Sequence, residues 1–119
     1  MTESEQVELA KAYVALSNAH CVEFILPIFT ETTNYHSTYA GELQGKEVIG
    51  AMMADYFLRF PDVYWNVPEY RYIKHGVVNF EFALTATEAQ SGDRIERIGF
   101  EQIEFSEAGK IQRIEVKPL

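Results

Sequence analysis

Cysteine is almost missing from this chain of 119 residues, and Cys21 is the only one. A single thiol cannot close an intrachain disulfide, so nothing in the sequence calls for an oxidising compartment. Cys21 lies in an apolar helical pattern, where a thiol acts as a small hydrophobe and not as a nucleophile. Positive charge is scarce as well. Ten Lys and Arg stand against 18 Asp and Glu, a formal charge of −8, and no basic cluster could track a phosphate backbone, so no nucleic-acid partner is expected. No apolar run approaches the roughly 20 residues needed to span a bilayer. The start, Met1-Thr2-Glu3-Ser4-Glu5, lacks the charged-then-apolar order of a signal peptide. The expectation is a cytoplasmic protein that does not meet a membrane. A Gly-rich phosphate loop and a nucleophilic serine elbow are absent. His20, His36 and His75 have neither helical nor Cys-rich spacing that would favour zinc, so neither metal nor cofactor is expected.

Hydrophobic residues make up 47% of the chain, enough for a core of its own, and residues 1–119 read as one domain. Thr2 or Ser4 caps a first helix whose apolar face is Val7, Ala10, Tyr13, Val14 and Ser17. Val22, Ile25, Leu26 and Phe29 repeat as the stripe of a second helix, kinked or tightened near its end by Pro27. Asn34 to Tyr39 reads as a short polar strand bounded by Gly41. A third helix opens at Gly45-Lys46-Glu47, with Val48, Met52, Tyr56 and Phe60 in one row and Ile49, Met53 and Phe57 beside it, and ends at Pro61-Asp62. Four strands follow, at 63–74, 77–89, 93–106 and 110–117, separated by glycine turns, with Pro68 marking a bulge in the first. Strands joined by tight turns are antiparallel, so the class is α+β, with three N-terminal helices packed on one face of a curled sheet. Aromatics fall on both sides of that sheet, more than one core needs, and point to a homodimer through its outer face.

The third of these strands carries an acid where an apolar residue is expected. Alternation puts Gly99, Glu101, Ile103 and Phe105 on one face, so Glu101 keeps apolar company. A carboxylate facing an apolar interior is costly unless it is paired, protonated or wet, which suggests a cavity with a polar task. The alternatives are an ion pair with Arg97 or Arg113, or a bulge that turns Glu101 to solvent.

Three helices followed by a curved antiparallel sheet resemble the nuclear transport factor 2-like superfamily, in its SnoaL-like and ketosteroid isomerase-like branch, a cystatin-like cone. The resemblance is carried by residues 12–19 (AYVALSNA), 28–31 (IFTE), 45–49 (GKEVI), 60–62 (FPD) and 104–111 (EFSEAGKI), and it spans nearly the whole chain. In isomerases of this group a tyrosine on the first helix and an acid on the third sheet strand donate hydrogen bonds to a substrate oxyanion, and an aspartate on the short first strand moves the proton. Carried across, the resemblance implies Tyr13 for the tyrosine and Glu101 for the acid, while the base position falls on Ser37, which cannot take a carbon acid's proton near neutral pH.

His36 is the nearest substitute, histidine being the side chain suited to proton exchange near neutral pH, although alternation sends it to the opposite side from Ser37 unless the register slips. Dehydratases of the superfamily use histidine, aspartate and tyrosines in the same cone, which adds Tyr35 and Tyr56. Phe57, Phe60, Trp65, Phe80, Phe82 and Ile103 are the expected walls of a pocket for an apolar small molecule. Epoxide hydrolases of this cone use an Asp-Arg-Asp group, of which Arg71 or Arg97 with Glu101 makes only a fragment. The reading is a cofactor-independent acid-base enzyme acting on an apolar carbonyl-bearing ligand such as a steroid or polyketide, by isomerisation, cyclisation or dehydration. Its rivals are a carrier or sensor of a lipophilic ligand, and a protein-interaction domain of the same fold.

Overall fold

The computed structural model describes all residues from Met1 to Leu119. Helix α1 (Glu3–Asn18) starts at a capping box: the Glu5 backbone N–H donates to the Thr2 hydroxyl at 3.1 Å, and the Thr2 N–H donates to the Glu5 carboxylate at 2.8 Å. Gln6, Ala10, Tyr13, Val14 and Ser17 form its buried face, while Val7 is only half-buried. The second helical stripe is cut short. Helix α2 (Val22–Ile25) gives way to a turn of 3-10 helix at Leu26–Ile28, where Pro27 has no N–H to give.

Strand β1 (Asn34–Ser37) is followed by β2 (Gly41–Gln44), antiparallel to it and not anticipated from the sequence. Its Gly-Glu-Leu-Gln is short, polar and mostly exposed, as an edge strand can be. Helix α3 (Lys46–Arg59) buries Ile49, Gly50 and Met53, so its core face is turned away from Val48, which is half exposed. Gly50 is the point of closest approach to the helical segment before it: a Cβ there would lie 2.4 Å from Leu26 Cδ2.

The expected 63–74 strand is two strands, β3 (Tyr64–Asn66) and β4 (Tyr70–Lys74), both antiparallel to β5 (Val77–Thr87). Pro68 falls in the gap, where a residue without a donor is tolerated. Strands β6 (Arg94–Phe105) and β7 (Ile111–Pro118) complete the sheet. The order is β2-β1-β7-β6-β5-β3 with β4 also on β5, and only β1 and β7 run parallel. The molecule is an α+β cone, with helices on the inner face of a mixed, mainly antiparallel sheet. No helix is long and apolar enough to cross a membrane.

Register fixes what each face carries. Ser37, Val116, Glu101, Phe80 and Tyr70 are successive partners across β1, β7, β6, β5 and β4, and form one inner row. One residue along, His36, Glu115, Gln102, Asn79 and Arg71 form an outer row. That outer row is tied by hydrogen bonds, Arg71 to Asn79 at 3.1 Å and Asn79 to Gln102 at 3.3 Å.

Candidate active site

Ser37, Val116, Glu101 and Phe80 of the inner row form the floor of a cavity of about 480 Å³. Tyr13 enters from α1, Tyr35 and Ser37 from β1, Phe80 and Phe82 from β5, and Glu101 from β6. Tyr56, Phe57 and Phe60 come from α3 and the residue that ends it, and Trp65 from β3. These aromatics brace one another: Tyr56 lies 4.9 Å from Phe60 and 6.3 Å from Trp65 between ring centroids, and Phe57 meets Trp65 edge-on at 6.4 Å. The end of α1 anchors this wall. Asn18 accepts the Trp65 backbone N–H at 2.7 Å and donates to the Trp65 carbonyl at 2.9 Å. Gly99, on the inner face two residues before Glu101, leaves room for the Phe82 ring, since a Cβ there would lie 2.4 Å from its Cζ.

Two expected residues lie elsewhere. His36 is on the outer face, as β1 alternation requires, with Nδ1 3.6 Å from the Glu115 carboxylate, so it cannot reach a ligand beside Ser37. Ile103 shares the face of Glu101 but does not line the cavity; it is fully buried in the core, one row towards Ile114 and Val78. Several wall residues escaped the sequence reading. Met52 and Met53 were visible on the α3 stripe without any sign that they border open space, and Arg97 sits on the inner face by the same alternation that locates Glu101. The exposed Tyr39, Asp55, Arg59 and Ile98 place the mouth at the opposite end from the buried floor of Tyr13, Ser37, Phe80 and Glu101.

Glu101 is 6% exposed. None of the chain's ion pairs includes it: Arg113 is on the outer face with Glu42 and Glu115, and Arg97 is not bonded to it. Burial alone therefore acts on its carboxyl and pushes the pKa from 4.5 up to about 8, with no partner pulling it back. At pH 7 the group is a neutral acid by about ten to one.

Tyr13 and Tyr35 are pushed well above the ordinary phenol value, first by burial and then by the Glu101 charge, and Tyr70 is pushed up to about 12 by the same causes. These neighbours are thus phenols at any physiological pH and keep an O–H to donate. Ser37 Oγ accepts the Tyr39 backbone N–H at 3.1 Å, which leaves its own proton free. No group of three or more His, Cys, Asp or Glu side chains comes together to hold a metal ion.

This geometry accompanies a match between residues 10–114 and the family model of the SnoaL-like domain. The chain belongs to the SnoaL-like family. A search of curated proteins finds no match. Among solved structures, the epoxide hydrolase/cyclase-like enzyme SalBIII, described for pyran ring formation in the polyether salinomycin, superposes with a TM-score of 0.88 at 16% identity, covering 98% of this chain and 92% of that one. A proposed isomerase from Bacillus subtilis gives 0.83 at 18% identity, covering 98% and 88%. A proposed SnoaL-like polyketide cyclase from Jannaschia gives 0.83 at 14%, covering 95% and 84%. At these identities the likeness is one of fold, and the chemistry of this SnoaL-like chain has to be argued from its own side chains.

Proposed function

We propose that this SnoaL-like protein is a cofactor-independent acid-base enzyme for an apolar, carbonyl-bearing small molecule, with Glu101 as its proton-exchanging group. The observation that carries the reading is a buried carboxyl with no cation beside it, on the floor of a cavity walled by aromatics. A neutral carboxyl has both an O–H donor and an acceptor oxygen. It can give its proton to a ligand carbonyl oxygen while its second oxygen takes a proton from the adjacent carbon. The carbonyl becomes an enol and Glu101 ends as the neutral acid it began as. That cycle needs no separate base, which suits a floor that has Ser37 where related isomerases place an aspartate. Tyr13 and Tyr35 are the donors available to share the developing charge on the ligand oxygen. From the enol, proton return at another carbon isomerises the ligand, and attack on a second carbonyl cyclises it.

The test is turnover of a panel of unsaturated ketones and polyketide-like diketones by the wild type and Glu101→Gln. Glutamine keeps the size and loses the proton, so kcat should fall about 100-fold or more. The wild-type rate should decline as pH rises through about 8, where the acid ionises. Near-normal turnover by Glu101→Gln removes Glu101 from the mechanism, and a rate that climbs through that pH makes it a base. The missing second carboxyl on the floor favours one other reading, a carrier of the same class of ligand. A compound that raises the melting temperature and is recovered unchanged would support the carrier.

A further inference from the structure

The chain has five arginines, and four of them are bound to carboxylates: Arg59 to Glu88 at 2.9 Å, Arg71 to Glu81 at 3.7 Å, Arg94 to Asp62 at 3.5 Å, and Arg113 to Glu115 at 2.8 Å. Arg97 is the exception. It takes part in none of the ion pairs, and the side-chain hydrogen bonds made by arginines come from the other four. In a chain with 18 acidic residues, an unpaired guanidinium is a departure that calls for a physical reason.

Its position supplies one. Arg97 is on the inner face of β6, at the mouth of the cavity, four residues along the strand from Glu101. Its guanidinium carbon lies over the Tyr39 ring, 4.3 Å from the centroid, a cation–π contact that holds the group at the mouth without using its N–H donors on a carboxylate. The Arg97 charge also reaches the Tyr56 phenol inside the cavity and pulls its pKa down against burial. The other charged groups at the mouth do not compete for the same role. Arg59 is held by Glu88, Lys117 alternates to the outer face with its cross-strand partner Phe100, and Asp55 lines the wall without bonding Arg97.

We propose that Arg97 is a specificity-determining residue that binds a carboxylate on the outer end of the ligand, so that the preferred substrate is an apolar keto acid and not a neutral ketone. The inference rests on the reading of the cavity as a site for a carbonyl compound, and it adds the second polar contact. Four residues of strand separate the two groups by about 13 Å at the backbone. Both side chains reach inward from there, so the spacer between ketone and carboxylate is a chain or ring system a few carbons long.

Trp65 is the only tryptophan and lines the cavity, so its fluorescence reports occupancy. The probes are δ-benzoylvaleric acid and its methyl ester, which share a ketone and differ in charge at the far end. The wild type should bind the acid about tenfold or more tightly than the ester, as a charge-assisted bidentate pair would give. Arg97→Gln should bring that ratio to about one, and Arg97→Lys should restore part of it, because a point charge replaces the fork. Thermal unfolding of both variants checks that they fold. Equal binding of acid and ester by the wild type overturns the role of Arg97 and leaves the ketone site standing. If neither probe perturbs Trp65 at millimolar concentration, the cavity is not a keto-ligand site and both claims fall.

Discussion

Glu101 imposes a cost on the fold that depends on pH. In the unfolded chain its carboxyl ionises near the ordinary 4.5, and in the folded chain near 8. Between those values the folded state holds a proton that the unfolded state has lost. Its contribution is fully present below 4.5, is lost as pH rises towards about 8, and is constant beyond, a change on the order of 5 kcal/mol. Denaturant unfolding at pH 5 and pH 9 should therefore show Glu101→Gln gaining stability relative to the wild type by a few kcal/mol at the higher pH, since glutamine never ionises. An unchanged difference between the two proteins at both pH values would mean that the carboxyl is solvated. Strand alternation put Glu101 with the apolar residues of its strand and His36 opposite Ser37, and the pairing of β1, β6 and β7 shows which of those faces is the inner one. Alternation does not report depth: Ile103 is on the same face as Glu101 yet lies sealed in the core. Nor does it show which of Arg97 and Arg113 could pair with Glu101, since that depends on the face of β7 as well as of β6.

At the scale of elements, β6 holds the site together, with Arg97, Gly99 and Glu101 on one face between β5 and β7. Gly99 leaves the space in which the Phe82 ring lies. Gly99→Ala places a methyl where the ring is, and the ring borders the cavity, into which it can be displaced. The expected result is a loss of about 1–3 kcal/mol in stability and weaker quenching of Trp65 by any cavity ligand. Stability and affinity both equal to the wild type would show that Phe82 does not depend on that space. Helices α1 and α3 and the long strands β5 to β7 were legible because their apolar periods run for eight residues or more, whereas the second helical stripe closes after four residues into a 3-10 turn. Strand β2 was not legible, since four residues at a sheet edge with Leu43 as their one apolar side chain show no alternation to read. The split into β3 and β4 was half legible: Pro68 announced an interruption, but a bulge and a break look alike without the pairing partner.

For the whole molecule, the cavity follows from how the elements close. Helices α1 and α3 cover the inner face of the sheet, and aromatic side chains prop the space between them open instead of filling it. A hollow of this kind is invisible to composition, because the same Phe, Tyr and Trp residues would make a solid core if the sheet were flatter. The family resemblance anticipated the cone. The function proposed for it depends on one condition, that the acid on the floor is protonated when the protein works. Carbon-13 NMR of the protein labelled at its glutamate carboxyls tests this directly. One resonance, missing from Glu101→Gln, should titrate with a midpoint of about 8. If every glutamate, Glu101 included, has ionised by about pH 5.5, the floor holds a carboxylate and the proposed acid chemistry is contradicted.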